Sequence, residues 1–223
     1  MSTNQNQRKW QKVTWLGLPL VLIGGWFYPL LGFALLGCMV GAVGIALFDG
    51  RSWCNWMCPR GSFFDLFMEK ISAKRQIPRF FRRWPVRAFM VLLIFFMMGL
   101  QWYLSWGNLP GMGLALVRIL TVTTIVGIIL AVVYSPRTWC LICPMGTIAN
   151  LLTKKDRALR IEPSCVNCKL CSKACPMQLK PYNFRQDGVL GDRDCIKCSS
   201  CVAACPKKAL SFAGQAAENC RVA

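Results

Sequence analysis

Long apolar blocks alternate with short basic ones along the first two thirds of this chain. Residues 13–48 contain no charged side chain, and residues 88–106 and 114–134 are apolar runs with Arg118 as their one charge. Residues 49–87 hold nine Lys/Arg against three acids. A spanning helix needs about 20 residues, so 88–106 and 114–134 predict one span each. Asn108-Leu109-Pro110-Gly111 forms the turn between them, and Gln101-Trp102-Tyr103 with Trp106 supplies an interfacial aromatic belt. As one helix the run 13–48 would reach ~54 Å at 1.5 Å per residue, so two short spans turning between Gly24-Gly25 and Pro29 are expected. The pattern predicts four spans in two hairpins, 13–48 and 88–134.

Charge then orients the hairpins. Lys/Arg collects in 1–12, in 49–87 and in 135–159, which places these segments and both termini on the cytoplasmic side of a bacterial inner membrane. Within the first loop, Phe63-Phe64-x-x-Phe67-Met68 followed by Lys70, Lys74 and Arg75 predicts an amphipathic helix lying on the membrane surface. The formal net charge of +18 therefore records topology, and no nucleic-acid partner is expected. A mean hydropathy of +0.40 with 55% hydrophobic residues agrees with a chain dissolved in lipid.

The polar remainder is dominated by 14 cysteines and contains no histidine. This chain therefore supplies no His-ligated haem, no Rieske centre and no histidine base. The cysteines follow cluster spacing and no cleavable signal sequence opens the chain, so a reducing compartment is expected rather than a disulfide scaffold. Two runs repeat: Cys165-x2-Cys168-x2-Cys171-x3-Cys175-Pro176 and Cys195-x2-Cys198-x2-Cys201-x3-Cys205-Pro206. This is the bacterial spacing for two [4Fe–4S] clusters, in which the fourth cysteine of each run ligates the other cluster. Cys165, Cys168, Cys171 and Cys205 are expected on one cluster, and Cys195, Cys198, Cys201 and Cys175 on the other. They define a small α+β ferredoxin-like domain over 160–213, followed by a tail, 214–223. Lys169, Lys173, Lys197, Lys207 and Lys208 surround these runs and would favour a reduced cluster or an acidic partner.

A second repeat lies beside the apolar segments. Arg51-Ser-Trp-Cys54-Asn-Trp-Met-Cys58-Pro-Arg-Gly61-Ser62 matches Arg137-Thr-Trp-Cys140-Leu-Ile-Cys143-Pro-Met-Gly146-Thr147. Each copy follows a hairpin, so two parallel repeats would bring Cys54, Cys58, Cys140 and Cys143 together at the inner membrane face. Four soft thiolates suit an iron–sulfur cluster, Cu(I) or Zn as a third metal site, or a dithiol redox pair, and buried structural cysteines are the remaining reading. Cys38 and Cys220 are expected to be bystanders. Quinol oxidation would need a proton acceptor, for which Asp49 and Asp65 are candidates at the inner face, with Asp156 further along. Arg118, a charge inside a span, is the candidate towards the outer face.

These features together resemble the NapH/NosR-type membrane-bound 4Fe–4S ferredoxins, and among them the NapH quinol dehydrogenase subunit. The resemblance rests on four spans, both Trp-Cys…Cys-Pro motifs and both ferredoxin runs, so it covers nearly the whole chain. It implies electron passage from membrane quinol towards a partner redox protein of a periplasmic respiratory or reductase pathway. It also brings a rival, the CcoG-type proteins, whose membrane cysteines bind and reduce copper during oxidase assembly; a membrane anchor for a partner ferredoxin is a third reading. The chain departs from the family pattern in its second motif, which is C-x2-C-P where the family has C-x3-C-P, and in its short first hairpin.

Overall fold

The computed structural model describes residues 9–153 and 158–212. Arg8, Asp156, Cys220 and the tail 214–223 lie outside the described residues. Helical residues 9–14 lead into α1 (Gly17–Phe27), which stops before Pro29 because proline brings no N–H and resets the backbone. A 3₁₀ turn, Pro29–Phe33, then opens α2 (Ala34–Asp49). The first cysteine motif folds into two short helices, α3 (Trp53–Trp56) and α4 (Pro59–Phe63), continued by a π turn, Phe64–Met68. After an extended loop come α5 (Trp84–Leu104) and α6 (Leu109–Val133), where the Asn108 side chain accepts from the Gly111 amide at 3.3 Å. The second motif gives α7 (Thr138–Ile142) and α8 (Pro144–Leu152).

Three stretches are long and apolar enough to cross a membrane: Pro29–Met68, Trp84–Leu104 and Leu109–Val133. The expectation was four. The run 13–48 is split at Tyr28–Phe33, but α1 has only 11 residues, roughly 16 Å at 1.5 Å per residue. Large apolar side chains stand exposed on the helices, among them Leu20, Val40, Leu92, Phe96 and Val122. A soluble protein would not present apolar faces this broad, and lipid would cover them. The expected surface helix is also different. Its regular part ends at Met68, and Phe64 is fully buried against Gly127 of α6 rather than lying on a membrane surface. Phe64 packs with Ala131, Trp139 and Ile142, and the loop beyond it turns away to meet the cysteine-rich unit.

That unit is closed by two short strands, β1 (Leu159–Ile161) and β2 (Leu210–Phe212), antiparallel with Arg160 opposite Ser211. Between them each cysteine run carries one short helix, α9 (Leu170–Lys173) or α10 (Ser200–Ala203). Its core of Leu159, Ile161, Met177, Leu179, Leu190, Ile196 and Leu210 does not stop at its own boundary. Ile77 of the extended loop and Leu141 of α7 belong to the same cluster, and Cys54 and Cys140 pack against it. Gln178 fastens the loop further, accepting from the Ile77 amide at 2.8 Å. The unit is seated on the membrane module through apolar contact.

Elsewhere α6 and the Pro29–Phe33 turn touch backbone to backbone. A Cβ on Gly113 of α6 would lie 2.1 Å from the Pro29 carbonyl oxygen, and one on Gly32 would lie 2.2 Å from the Gly113 oxygen. Gly113→Ala is therefore expected to lower the thermal unfolding temperature in detergent, at a cost of about 1–3 kcal/mol. Gly99→Ala on α5 has open space around it and should be neutral or slightly stabilising. Equal melting temperatures for the two variants would contradict this packing.

Candidate metal centres

The two ferredoxin runs share a backbone as well as a spacing. Positive φ falls on Asn167 and Lys169 in the first and on the equivalent Lys197 and Ser199 in the second, and again on Gln178 and Lys208 after the two Cys-Pro pairs. None of these is glycine, so the left-handed conformation is held by the surrounding structure. Alternating right- and left-handed residues turn successive amide N–H groups inward, the concavity that binds anionic sulfur in many iron–sulfur sites. The Leu179 amide donates to Cys175 Sγ at 3.4 Å. Burial pushes the Cys195 thiol up to about 12, opposed by a hydrogen bond from the Lys197 amide. Without a metal such a thiol stays protonated; the amide donors suit the thiolate that iron would bind. The eight cysteines named from the spacing therefore fit the group that the spacing implies.

The membrane repeat reaches equivalent geometry by different local means. Cys58 and Cys143 each stand in extended backbone just before a proline that starts a helix. The Cys143 amide donates to Trp139 O at 2.9 Å, a helical bond. In the first copy Met57 and Cys58 both donate to Trp53 O, at 3.1 and 3.0 Å, so the extra residue of C-x3-C-P is absorbed as a π-bulge. The one-residue difference leaves both cysteines in the same place relative to their tryptophan. Each tryptophan also lies on a glycine of its own repeat, Trp53 on Gly41 and Trp139 on Gly127, related by the same offset as Arg51 and Arg137.

The two repeats grip one another through their arginines. Arg137 Nη1 donates to the Cys54 carbonyl at 2.5 Å, and Arg51 Nη2 donates to the Cys140 carbonyl at 2.5 Å. Both guanidiniums are 1% exposed. Glycine makes room for each: a Cβ on Gly61 would lie 3.0 Å from Arg137 Nη1, and one on Gly146 would lie 2.7 Å from Arg51 Nη2. The exchange holds Cys54 and Cys140 side by side. Their thiols, with Cys143, lie close enough to feel one another's charge, and Cys58 feels Cys54 and Cys140. Among the described residues no three His, Cys, Asp or Glu side chains converge on a point that a single ion would fill. A [4Fe–4S] cubane asks for something wider, because each cysteine binds a different iron.

The symmetry breaks at the carboxylates. Arg137 pairs with Asp65, whose Oδ1 accepts from Nε at 2.7 Å and whose Oδ2 accepts from Nη2. The position equivalent to Asp65 in the second copy is Asn150, which leaves Arg51 without a local acid. Asp194 of the ferredoxin unit supplies it. Its Oδ1 accepts from Arg51 at 2.7 Å, from Arg87 at 2.9 Å and from Asn150 at 2.6 Å, and its Oδ2 accepts from Arg87 at 2.5 Å. Burial alone would raise the Asp194 carboxyl, but hydrogen bonds from Arg87 and the charges of Arg51 and Arg87 outweigh it and hold it below the usual carboxylate range. Asp194 immediately precedes Cys195, so the clasp fixes that ferredoxin run against the membrane cysteines.

The remaining candidates are scattered. Asp49, at the end of α2, accepts from Lys197 at 2.8 Å and keeps 46% of its side chain exposed. Asp65 is committed to Arg137 and to Gln11, which donates at 3.1 Å. Arg118 is exposed on α6. Cys38 is less of a bystander than expected: it lies beside the Trp53 indole and within electrostatic reach of Cys58 and Cys143. Sequence reasoning also passed over Arg51, Arg137, Asn150 and Asp194. The signal was available in the repeat itself, where an acid in one copy faces an amide in the other.

A family profile described as a 4Fe-4S binding domain matches twice, over residues 31–78 and 117–162, and one described as a 4Fe-4S dicluster domain matches 164–210. The chain carries 4Fe–4S binding domains. The first profile falls on the two membrane repeats and the second on the paired ferredoxin runs. Two relatives come from Methanocaldococcus jannaschii. The uncharacterized protein MJ0749 is 28% identical over 145 residues, 62% of this chain and 56% of its own length. The uncharacterized protein MJ0750 is 29% identical over 161 residues, 66% of this chain and 67% of its own length. The chain thus spans just over half of the first of these relatives. No solved structure matches it.

Removing Asp194 would strand two buried guanidiniums. Asp194→Ala is expected to cost about 3–5 kcal/mol, as for other broken buried ion pairs, read as a fall in melting temperature in detergent. Asp49→Ala removes a half-exposed partner of Lys197 and should cost at most about 1 kcal/mol. A loss at Asp194 no larger than that at Asp49 would show that the clasp does not hold the two modules.

Proposed function

We propose that this protein is a membrane-anchored iron–sulfur electron carrier with three 4Fe–4S centres, two in the ferredoxin unit and one between the membrane repeats. Cys165, Cys168, Cys171 and Cys205 would hold the first, and Cys195, Cys198, Cys201 and Cys175 the second. Cys54, Cys58, Cys140 and Cys143 would hold the third. Such clusters supply one-electron chemistry; the chain's part is to fix their ligands and their electrostatic setting. The observation that carries the third centre is charge. Around the four membrane cysteines stand four guanidiniums, Arg51, Arg60, Arg87 and Arg137, against two carboxylates, Asp65 and Asp194. Neutral thiols would leave two positive charges uncompensated next to lipid, which is costly. Four thiolates around a [4Fe–4S]²⁺ core carry two negative charges and neutralise them. Among the described residues the buried Nε–H of Arg51 and Arg87 and the indole N–H of Trp139 find no acceptor, as donors held for anionic sulfur would.

The donor we infer is membrane quinol and the acceptor a partner redox protein of a periplasmic respiratory or reductase pathway, following the resemblance to the quinol dehydrogenase subunits. Asp49 suits the proton acceptor better than Asp65, because its carboxylate is half exposed at the end of α2 whereas Asp65 is locked to Arg137.

Iron and acid-labile sulfide analysis of anaerobically purified protein tests the count. About 12 irons per chain are expected, with about 8 remaining in a Cys54→Ser/Cys140→Ser variant, at four per cubane. About 8 in both would remove the third centre, and a stoichiometric copper signal lost in the variant would replace it with a copper site.

A further inference from the structure

The two halves of the ferredoxin unit are alike in spacing and backbone but opposite in exposure. Val166 and Ile196 hold the same place in their runs, yet Val166 is 58% exposed and Ile196 is 2% exposed. Cys168 is exposed where Cys198 is not. The cause is the seating on the membrane module. Ile196 packs into the core shared with Leu141, while Asp194 and Lys197 on either side of it pair with Arg51 and Asp49. Among the described residues no ion pair of this kind covers the run from Cys165 to Leu170.

The side chains differ accordingly. Lys169 of the open half corresponds to Ser199 of the seated half, and Leu170 to Ser200. Beyond the Cys-Pro pairs, Lys207 and Lys208 are exposed on the open half, where the seated half has buried Met177 and Gln178 tied to the Ile77 amide. The open half therefore shows two exposed apolar side chains, Val166 and Leu170, beside the Cys168 thiol and flanked by three lysines. Glu162 is the nearest exposed acid in sequence, and it accepts from Ser164 at 3.4 Å. An apolar centre with a rim of one charge sign is the make-up of a transient protein interface, steered by complementary charge.

We propose that the face formed by Val166, Cys168, Lys169, Leu170, Lys207 and Lys208 is the docking site for an acidic one-electron carrier protein. It rests on the electron-carrier reading and adds which end of the protein meets the partner. One electron would cross there, with no bond made or broken and no proton moved. The seated half cannot serve, because its equivalent face is covered by α7 and by the Asp194 clasp.

The test uses the full chain in detergent with its iron in place and, as probe, an acidic plant-type [2Fe–2S] ferredoxin. Affinity is measured against ionic strength, with carbodiimide cross-linking to locate the lysines joined to the probe's carboxylates. Lys169→Glu/Lys207→Glu/Lys208→Glu should weaken binding at least about tenfold at low salt and flatten its salt dependence, since charge steering of this kind carries one to three orders of magnitude. The neutral triple Gln variant should fall between, and reversal of the exposed Lys70 and Lys180 should change nothing. Unaltered affinity with iron content intact would overturn the docking site and leave the electron-carrier reading standing. Absence of iron from the unaltered chain would overturn both. Reversal that leaves ferredoxin binding unchanged but abolishes adhesion to anionic vesicles would assign the face to lipid, and a concentration-dependent shift in size would assign it to a second copy; either outcome sinks the proposal.

Discussion

A guanidinium buried beside lipid must find both an acceptor for its hydrogens and a negative charge, and two such groups set the plan of this molecule. Arg51 and Arg137 satisfy the first need by crossing over, each bonding the cysteine carbonyl of the other repeat. They satisfy the second differently, Arg137 from Asp65 nearby and Arg51 only from Asp194 in a separate unit. Buried ion pairs seldom add much net stability, because desolvation consumes most of the Coulomb gain. What they impose is selectivity: an arrangement that leaves Arg51 without Asp194 is heavily penalised, so the ferredoxin unit has one acceptable seat.

Other features of the chain follow from that requirement. Gly61 and Gly146 are needed because the incoming arginine occupies the space of a side chain. The π-bulge at Met57 and Cys58 keeps the longer first motif in register with the shorter second, so the crossover is not skewed. Asn150 turns from a missing acid into a donor that helps hold Asp194. Ile77 and Leu141 extend the ferredoxin core onto the membrane module, and without a shared apolar surface the clasp would be open to water and much weaker.

The parts legible in the sequence were those encoded at short range. The Cys-x2-Cys-x2-Cys-x3-Cys-Pro runs and the duplicated Trp-Cys motif announce themselves within a dozen residues, and the iron–sulfur chemistry that the runs imply agrees with the 4Fe–4S dicluster profile over 164–210. The parts that were missed depend on partners far apart in the chain. Asp194 meets Arg51 across 143 positions, and nothing local to either residue names the other. Phe63-Phe64-x-x-Phe67-Met68 has the pattern of a surface helix, but Gly127 offers a gap that Phe64 fills, so packing overrode the local amphipathic signal. α1 fell short because Pro29 ends it after 11 residues, although the whole run 13–48 is free of charge.

Two duplications are nested here, and each has been made unequal in the same sense. In the membrane repeat, the first copy's Asp65 goes to Arg137 of the second copy, while the second copy has Asn150 in that place and the first copy's Arg51 takes Asp194 instead. In the ferredoxin repeat, the second run lends that acid and becomes covered, and the first run stays open. The unequal halves meet, the Cys140–Cys143 motif with the Cys195–Cys201 run, through Leu141, Ile196 and Asp194. A fully symmetric pair of repeats would have offered the ferredoxin unit two equivalent seats and no preferred end. Asparagine at 150, which donates to Asp194 rather than competing with it, favours one seat and leaves the opposite end free. That choice gives the row of cysteines a fixed order, from the membrane repeat through the covered run to the exposed one.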